Sequence, residues 1–359
     1  MAVFLFLELF VMINAGIIGV SGYGGGELAR LLSVHPNVKL TYVVSGTYLG
    51  QKLAAALPGF PQRNPLVCEA YDEEAAISRC DVIFLAQESG FAAKHAALLA
   101  DRGKKVIDLS ADLRIKDPAV YEKWYKTDAG PQSLLDRAVY GLPELHREEI
   151  REAQIIANPG CYPTSAILAL APVIAANAVQ LDRIVINSMS GVSGAGRSKH
   201  TLQYHFPELN ESASAYGVAG QHRHTPEIEQ ALSLLAGQQV IISFTPHLIP
   251  VTRGILTTVI VDLAKDLTSS ELVAIIAKFY EKEPFVNVLP DGSFPATKHT
   301  LGSNYVHIGA AVDQRTGRAT IISAEDNLIK GAAGQAIQNM NLMYGHPEET
   351  GLTLAGIFP

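Results

Sequence analysis

Short apolar runs recur through the first 160 residues, and most are followed by a segment with the length and composition of a helix. Runs of this kind, bounded by turn residues, predict buried strands. Alternating strands and helices predict a right-handed parallel sheet that binds ligands at the carboxyl ends of its strands. The predicted strands cover residues 13–20, 38–44, 81–86, 105–108 and 155–157.

The second half of the chain has closely spaced β-rich runs. Strands are predicted at residues 183–188, 239–246, 254–261, 305–313 and 318–322. The last two flank a short turn, which is typical of a hairpin. Because several strands follow one another with short connections, this half predicts a second sheet that is largely antiparallel or mixed.

Two helices and a long loop complete the predicted second half. Thr268 and Glu271 have the spacing of a capping box ahead of an amphipathic helix over 272–281. A last helix is predicted over 327–342. Residues 198–220 have no clear period, which is typical of a functional loop.

Composition narrows the class of protein. Of 359 residues, 48% are hydrophobic and 18% charged, as in a well-packed soluble protein of two or three domains. The net charge of -7 argues against a general nucleic-acid or anionic-membrane surface, so an anionic ligand needs local Arg or backbone donors. Three cysteines argue against a disulfide scaffold and a zinc site, and they fit a reducing compartment.

Residues 1–11 are apolar apart from Glu8. They are too few to span a bilayer, and they lack the basic region and cleavage site of a signal peptide. Met12 directly precedes the first predicted strand. We therefore expect residues 1–11 to be a tail and Met12 to be the native start.

A glycine-rich turn joins the first strand to a helix. Such glycines let a backbone approach a pyrophosphate, and the helix start supplies N–H donors, which predicts a dinucleotide site. After the second strand, Ser45, Gly46 and Thr47 include no acid to bind a ribose hydroxyl, which favours NADP over NAD, although no Arg follows in that turn. The predicted turn residues are Gly19, Ser21, Gly22, Tyr23, Gly24 and Gly25.

Cys161 lies between a predicted strand end and a predicted helix. The positive end of a helix favours thiolate over thiol, which predicts a nucleophile. A small buried hydrophobe is the alternative, since that is the usual role of a free cysteine.

Acid–base and anion-binding candidates lie in the loops. His222 and His224 precede a predicted helix, and we favour an acid–base role over metal binding because no further ligand cluster is visible. Arg197, Arg223 and Arg253 have guanidinium groups suited to carboxylate or phosphate. Ser110 and Arg114 follow a strand end, where a surface ion pair is the alternative for Arg114, and Glu227 could orient a histidine ring or favour the start of the helix.

Taken together, these segments resemble N-acetyl-γ-glutamyl-phosphate reductases, relatives of aspartate-semialdehyde dehydrogenase, over nearly all of the chain after Met12. The resemblance rests on several segments that match in order and spacing. They are Gly19-x-x-Gly22-Tyr23-Gly24-Gly25, residues 108–114, 140–144 and 158–164, residues 190–197 and 222–228, and residues 327–336.

The resemblance implies NADPH-dependent reduction of an acyl phosphate to an aldehyde through a thioester on Cys161. It assigns proton transfer to His222, with His224 as second choice. It implies further cofactor contacts from Ser45, Thr47, Ser193, Gly194 and Asn327. It implies substrate contacts from Ser110, Arg114, Asn158, Arg197 and Arg253.

The predicted fold class is α/β, with a Rossmann-like parallel sheet domain and an α+β catalytic and dimerisation domain. The predicted boundaries are a tail at 1–11, an NADP-binding domain at 12–160, a catalytic and oligomerisation domain at 161–325, and a C-terminal helix at 326–359 that returns to the first domain. A cytoplasmic homodimer or homotetramer in arginine biosynthesis is expected. The alternatives are the same chemistry on carrier-bound aminoadipyl phosphate in lysine biosynthesis, and a non-catalytic dinucleotide sensor.

Overall fold

The structure is a computed structural model that describes residues 12–198 and 201–357. The predicted tail at 1–11 lies outside the described residues. No helix in the described part of the chain is long and apolar enough to cross a membrane.

A parallel sheet of six strands forms the first half, in the order β2-β1-β3-β4-β6-β5. Its strands are β1 (Ile13–Ile18), β2 (Val38–Val44), β3 (Val82–Leu85), β4 (Lys105–Asp108), β5 (Val139–Tyr140) and β6 (Ile155–Ala157). The intervening helices are α1 (Tyr23–Leu32), α2 (Leu53–Ala56), α3 (Glu73–Arg79), α4 (Phe91–Asp101), α5 (Pro118–Tyr125), α6 (Gln132–Arg137) and α7 (Pro143–Glu152). The predicted Rossmann-like sheet is confirmed, and the two-residue β5 is an addition to it.

A mixed sheet of seven strands forms the second half, in the order β11-β12-β13-β10-β7-β9-β8. Its strands are β7 (Ile184–Ser190), β8 (Ser214–Ala215), β9 (Ile242–Leu248), β10 (Ile255–Asp262), β11 (Val286–Val288), β12 (Val306–Asp313) and β13 (Arg318–Glu325). The remaining helices are α8 (Cys161–Ala175), α9 (Phe206–Leu209), α10 (Thr225–Ala236), α11 (Ser269–Phe279), α12 (Thr297–Thr300) and α13 (Gly334–Met343). The predicted α/β class with a mixed second sheet is confirmed.

Local signals for the second sheet are also observed. Strands β12 and β13 pair as the predicted hairpin. Thr268 and Glu271 form the predicted capping box at the start of α11. Strands β9 and β10, however, are not neighbours, because β7 lies between them, parallel to β9 and antiparallel to β10. The connection between them crosses the end of β7, where Ile249 N–H donates to Ser190 and Gly254 accepts from Gly191.

Helix α8 lies at the centre of the second half. Its residues from Tyr162 to Ile174 are all buried, and it packs against α10, α11 and strands β10 and β13. A helix that is apolar on all sides is stable only inside a core. The first residue of this buried helix is Cys161, so the position of the thiol is fixed by the surrounding packing.

The C-terminal segment packs on the first sheet. A π-helical turn, Ile329–Ala333, leads into α13. Residues of both share a hydrophobic core with β1 and α1. Lys330 is fully buried, and its ammonium donates to Glu144 Oε1 on α7 at 2.5 Å. The end of the chain is therefore part of the same packed unit as its beginning.

Candidate active site

Cys161 follows β6 after a three-residue turn and begins α8, as predicted. One carboxylate holds this turn in place. Gly160 N–H and the Tyr140 hydroxyl both donate to Glu227 Oε1, at 2.8 and 2.9 Å. Because three separate segments meet at Glu227, the backbone directly before the thiol is fixed.

Arg114 secures the same turn from the other side. Its Nη1 lies 3.4 Å from Glu227 Oε2, and both side chains are buried. Its Nε donates to the Asn158 carbonyl at 2.7 Å, and its Nη2 donates to the Leu109 carbonyl at 2.8 Å. The surface ion pair considered for Arg114 is thus a buried one that holds the Cys161 turn.

The two histidines have different surroundings. A side chain added at Gly160 would place its Cβ 2.7 Å from His224 Nε2, so His224 lies directly against the turn before Cys161. His222 packs edge-on against both Tyr162 and Tyr216, with ring centroids 5.4 and 5.3 Å away, and the His224 ring also contacts Tyr162 edge-on, at 5.8 Å. The contact with Gly160 favours His224 over His222 as the acid–base candidate.

The pKa of Cys161 differs from the expectation that its thiol is ionised. Burial, reinforced by the nearby Glu325 carboxyl, raises the pKa of the Cys161 thiol to about 12, although the Tyr162 backbone N–H and Arg114 act in the opposite direction. The predicted thiolate is therefore wrong for the protein without substrate, because loss of water outweighs the helix end. Burial also lowers the pKa of His224 well below its ordinary value and that of His222 to about 4.

The raised pKa has a measurable consequence. Alkylation of Cys161 by iodoacetamide should accelerate by about tenfold for each pH unit from pH 7 to 10, without levelling off, since the thiolate fraction keeps rising below the pKa. Peptide mass spectrometry would separate this reaction from that of Cys68 and Cys80, with a free cysteine derivative as control. A plateau below pH 9 would contradict the high pKa.

A carboxyl group that the sequence analysis missed lies beside the thiol. Glu325 is fully buried at the end of β13, and neither of its oxygens has a hydrogen-bond partner among the described residues. A Cβ at Gly331 would lie 2.7 Å from the Cys161 Cβ and 2.8 Å from Glu325 Oε1. Burial raises the pKa of Glu325 well above its ordinary value, while the Lys330 cation acts against this. In the sequence, the signal for Glu325 was an acidic residue at the end of an apolar strand.

The glycine-rich turn fits a dinucleotide. Gly19 has φ of +99°, and a Cβ there would lie 2.3 Å from the Ala86 carbonyl oxygen, so only glycine is accommodated. Helix α1 begins at Tyr23 after Gly22, and no side chain of the described residues caps its first N–H groups. These donors are available to a pyrophosphate. Gly24 and Gly25, predicted to lie in the turn before a helix that begins at Glu27, are instead in the first turn of α1, which begins at Tyr23.

Other predicted cofactor residues form two groups. The Ser21 and Ser45 hydroxyls are 2.8 Å apart, which joins the glycine-rich turn to the end of β2, and Thr47 is exposed nearby. In the second group, Asn327 Nδ2 donates to the Ser193 hydroxyl at 3.0 Å, and a Cβ at Gly194 would lie 3.6 Å from the same nitrogen.

The remaining predicted substrate residues are dispersed. Ser110 donates to Asp108 Oδ2 at 2.9 Å. Asn158 donates to the Ala332 carbonyl and accepts from Asn339, so its amide links β6 to the C-terminal segment. Both side chains are engaged within the protein.

Two predicted anion-binding arginines are also engaged. Arg253 pairs with Glu27 Oε1 at 2.5 Å and lies 3.7 Å from Asp326 Oδ2. Arg197 reaches the glycine-rich turn, where its Nη1 donates to the Ser21 carbonyl at 3.0 Å. The structure therefore groups Arg114 with Cys161 and groups Arg197 with the predicted cofactor turn.

Within residues 12–198 and 201–357, no group of three or more His, Cys, Asp or Glu side chains is arranged to hold a metal ion. Cys68 and Cys80 are both buried free thiols. Burial raises the pKa of Cys80 to about 11 and that of Cys68 in the same direction. Unlike Cys161, neither begins a helix.

Two sequence families match consecutive parts of the chain. The family described as semialdehyde dehydrogenase, NAD binding domain matches residues 14–153. The family described as semialdehyde dehydrogenase, dimerisation domain matches residues 161–327. The fold agrees with solved structures: aspartate semialdehyde dehydrogenase II of Vibrio cholerae has a TM-score of 0.70 at 18% identity, covering 93% of this chain and 98% of that one.

Relatives that match over nearly the whole chain define the family more narrowly than the two domain matches do. The N-acetyl-gamma-glutamyl-phosphate reductase of Moorella thermoacetica is 50% identical over 348 residues, which cover 97% of this chain and 100% of that protein. The protein of the same name from Geobacter metallireducens is 49% identical over the same proportions of the two chains. The chain therefore belongs to the N-acetyl-γ-glutamyl-phosphate reductase family of the semialdehyde dehydrogenases.

Proposed function

We propose that this protein reduces N-acetyl-γ-glutamyl phosphate to N-acetylglutamate 5-semialdehyde, with NADPH as reductant and release of phosphate, in arginine biosynthesis. The observation that carries the proposal is Cys161 at the start of α8, with His224 Nε2 against the preceding Gly160. A thiol with an adjacent imidazole is the arrangement needed for covalent attack on an acyl carbon.

The first step forms the thioester. Cys161 Sγ attacks the acyl carbon while His224 accepts the thiol proton, and the bond from that carbon to the phosphate oxygen breaks. His224 passes the proton to the departing phosphate. The Glu227 carboxylate and Arg114 keep the backbone before Cys161 in place during the attack.

The second step releases the aldehyde. When bound, NADPH supplies the hydride that reduces the thioester carbon. The oxyanion of the resulting Cys161 hemithioacetal re-forms a carbonyl as the carbon–sulfur bond breaks, so the aldehyde is released and the sulfur is left as thiolate. His224, reprotonated from solvent, returns a proton to Sγ, so the protein ends in its starting state.

The starting protonation states favour proton transfer during attack. The high pKa of Cys161 and the low pKa of His224 leave both groups neutral in the protein without substrate. A bound acyl phosphate brings negative charge, which stabilises an imidazolium ion beside it. Arg114 also lies against this turn, since a Cβ at Gly160 would lie 3.0 Å from its Nη1.

We propose NADP as the cofactor. The uncapped start of α1 and the glycine-rich turn supply the pyrophosphate donors, and the turn after β2 lacks an acidic residue. Ser193, Gly194 and Asn327 form the second group of cofactor contacts in this proposal. The Candida albicans aspartate semialdehyde dehydrogenase, which shares the fold at a TM-score of 0.63, was solved with NADP.

The division of the chain is likewise a proposal. We assign residues 12–160 to cofactor binding, 161–325 to catalysis and assembly, and 326–359 to a C-terminal segment that returns to the first unit. The shared core of the C-terminal segment with β1 and α1 supports this division. We further propose a cytoplasmic homodimer or homotetramer, which the matched dimerisation family supports.

The reverse reaction tests the proposed activity. Purified protein with N-acetylglutamate 5-semialdehyde, phosphate and NADP⁺ should form reduced nicotinamide, and omission of phosphate should abolish the signal. NAD⁺ and carrier-bound aminoadipate semialdehyde are the matched alternatives. Turnover with only the carrier-bound aldehyde would transfer the assignment to lysine biosynthesis, and cofactor binding without any turnover would indicate a sensor.

A further inference from the structure

Arg197 crosses from the second half of the chain to the cofactor turn of the first. It follows the short 3₁₀ helix Val192–Ala195, which comes directly after β7. Its Nη1 donates to the carbonyls of Ser21 and Ala56, at 3.0 and 2.9 Å, and its Nη2 donates to the Tyr48 hydroxyl at 3.0 Å. The sequence offered no arginine in the turn after β2, and the fold supplies one from a distant loop.

Some N–H donors of Arg197 have no partner among the described residues. A guanidinium has five N–H donors, and the contacts with described residues use both hydrogens of Nη1 and one of Nη2. Nε and one hydrogen of Nη2 have no hydrogen-bond partner among the described residues. Guanidinium N–H donors bind phosphate oxygens well. Two carbonyls therefore fix the side chain, while two of its donors remain for a ligand.

The location matches one part of a dinucleotide. In Rossmann-like sheets the adenosine ribose lies beyond the end of the second strand, where an acid binds its 2′-hydroxyl or a nearby Arg accommodates a 2′-phosphate. Arg197 touches both sides of this position: Ser21 belongs to the glycine-rich turn, and Tyr48 follows β2. The Ser45 hydroxyl accepts from Tyr48 N–H at 3.3 Å and donates to the Ser21 hydroxyl at 2.8 Å, which places the two turns together.

We propose that Arg197 binds the 2′-phosphate of NADP(H) and determines the preference of this protein for NADP over NAD. The inference rests on the proposed cofactor. It replaces the substrate contact expected for Arg197 from the sequence. It also assigns cofactor discrimination to the loop that carries Ser193 and Gly194, so that one segment contacts both groups of cofactor residues.

Fluorescence titration of the whole protein with NADPH and NADH tests the inference. Arg197→Gln should weaken NADPH binding by about 10- to 100-fold, because a charged hydrogen-bonded contact is lost. NADH binding should change by less than about twofold. Arg197→Lys keeps the charge but loses the planar guanidinium. Its affinity for NADPH should therefore lie between that of the natural protein and that of Arg197→Gln. Arg30→Gln, which removes a half-exposed arginine paired with Glu27, should change neither affinity.

Competition with nucleotide fragments isolates the phosphate. Adenosine 2′,5′-bisphosphate should displace NADPH from the natural protein better than adenosine 5′-monophosphate, and Arg197→Gln should remove that difference. If Arg197→Gln lost equal affinity for NADPH and NADH, the role of Arg197 would be purely structural and the inference would be overturned. Unchanged NADPH affinity in this variant would also overturn it. Preferential NADPH binding that depends on Arg197, with no turnover of any aldehyde, would sustain the inference while refuting the proposed reaction.

Discussion

Replacement of Cys161 by serine is expected to lower turnover on the order of 10⁴-fold or more, while leaving NADPH affinity within about twofold of the natural protein. A serine hydroxyl is far harder to ionise than a thiol, and no thioester can form without sulfur. Steady-state assay of the reverse reaction and fluorescence titration with NADPH would give the two values. The proposed cofactor contacts, at residues 19–25 and at Ser193, Gly194 and Asn327, do not include this side chain.

Cys68→Ala is the matched control for Cys161→Ser. Cys68 is a free buried thiol that packs in the core of the first sheet, so its loss should affect stability before it affects chemistry. When the natural protein is mixed with the acyl phosphate in the absence of NADPH and the reaction is rapidly quenched, mass spectrometry should detect an acyl adduct on Cys161. A Cys161→Ser variant with a normal rate would exclude the covalent route.

His224→Asn is expected to reduce kcat/KM by about 10²- to 10⁴-fold, the usual effect of removing a general acid–base group. His222→Asn should reduce it by less than about tenfold, because His222 packs among Tyr162 and Tyr216 and acts on His224 through the backbone. Initial rates of both variants at several pH values would separate these effects. A large loss in His222→Asn alone would restore the order expected from the sequence.

The pH dependence gives a second test of the same assignment. A base must be neutral to accept a proton, and burial lowers the pKa of His224 well below 6.5. The acidic limb of kcat/KM in the natural protein should therefore fall below the range of an exposed histidine, and activity should persist at pH 6. An acidic limb centred at or above 6.5 would contradict a buried neutral imidazole as the base.

The sequence best predicted those features of the fold and site that depend on residues close together in the chain. The strand–glycine–helix turn at Gly19 and the strand–turn–helix at Cys161 are local patterns, and both are present where predicted. The β12–β13 hairpin and the capping box of α11 are local in the same sense. Their geometry follows from backbone preferences and hydrophobic periodicity, which can be recognised within a dozen residues.

What the sequence could not supply depends on contacts between distant segments. The link from Glu227 to Gly160 spans 67 positions and that from Arg197 to Ser21 spans 176. No local pattern indicates either. The error on the Cys161 thiolate has a similar origin, because the helix end was visible in the sequence while the burial that outweighs it comes from packing. Glu325 was missed because only the folded chain brings the end of β13 close to Cys161, which is 164 positions away in the sequence.

The return of the C-terminal segment to the first sheet affects how the protein is made. Ile337 and Met340 of α13 fill the same core as Ile17 and Leu28, near the start of the chain. During synthesis on the ribosome, the cofactor-binding half must wait with an incomplete interior until almost the entire polypeptide has emerged. A premature stop codon shortly before α13 would thus damage the oldest part of the nascent chain, and such products should be preferred substrates for chaperones and proteases.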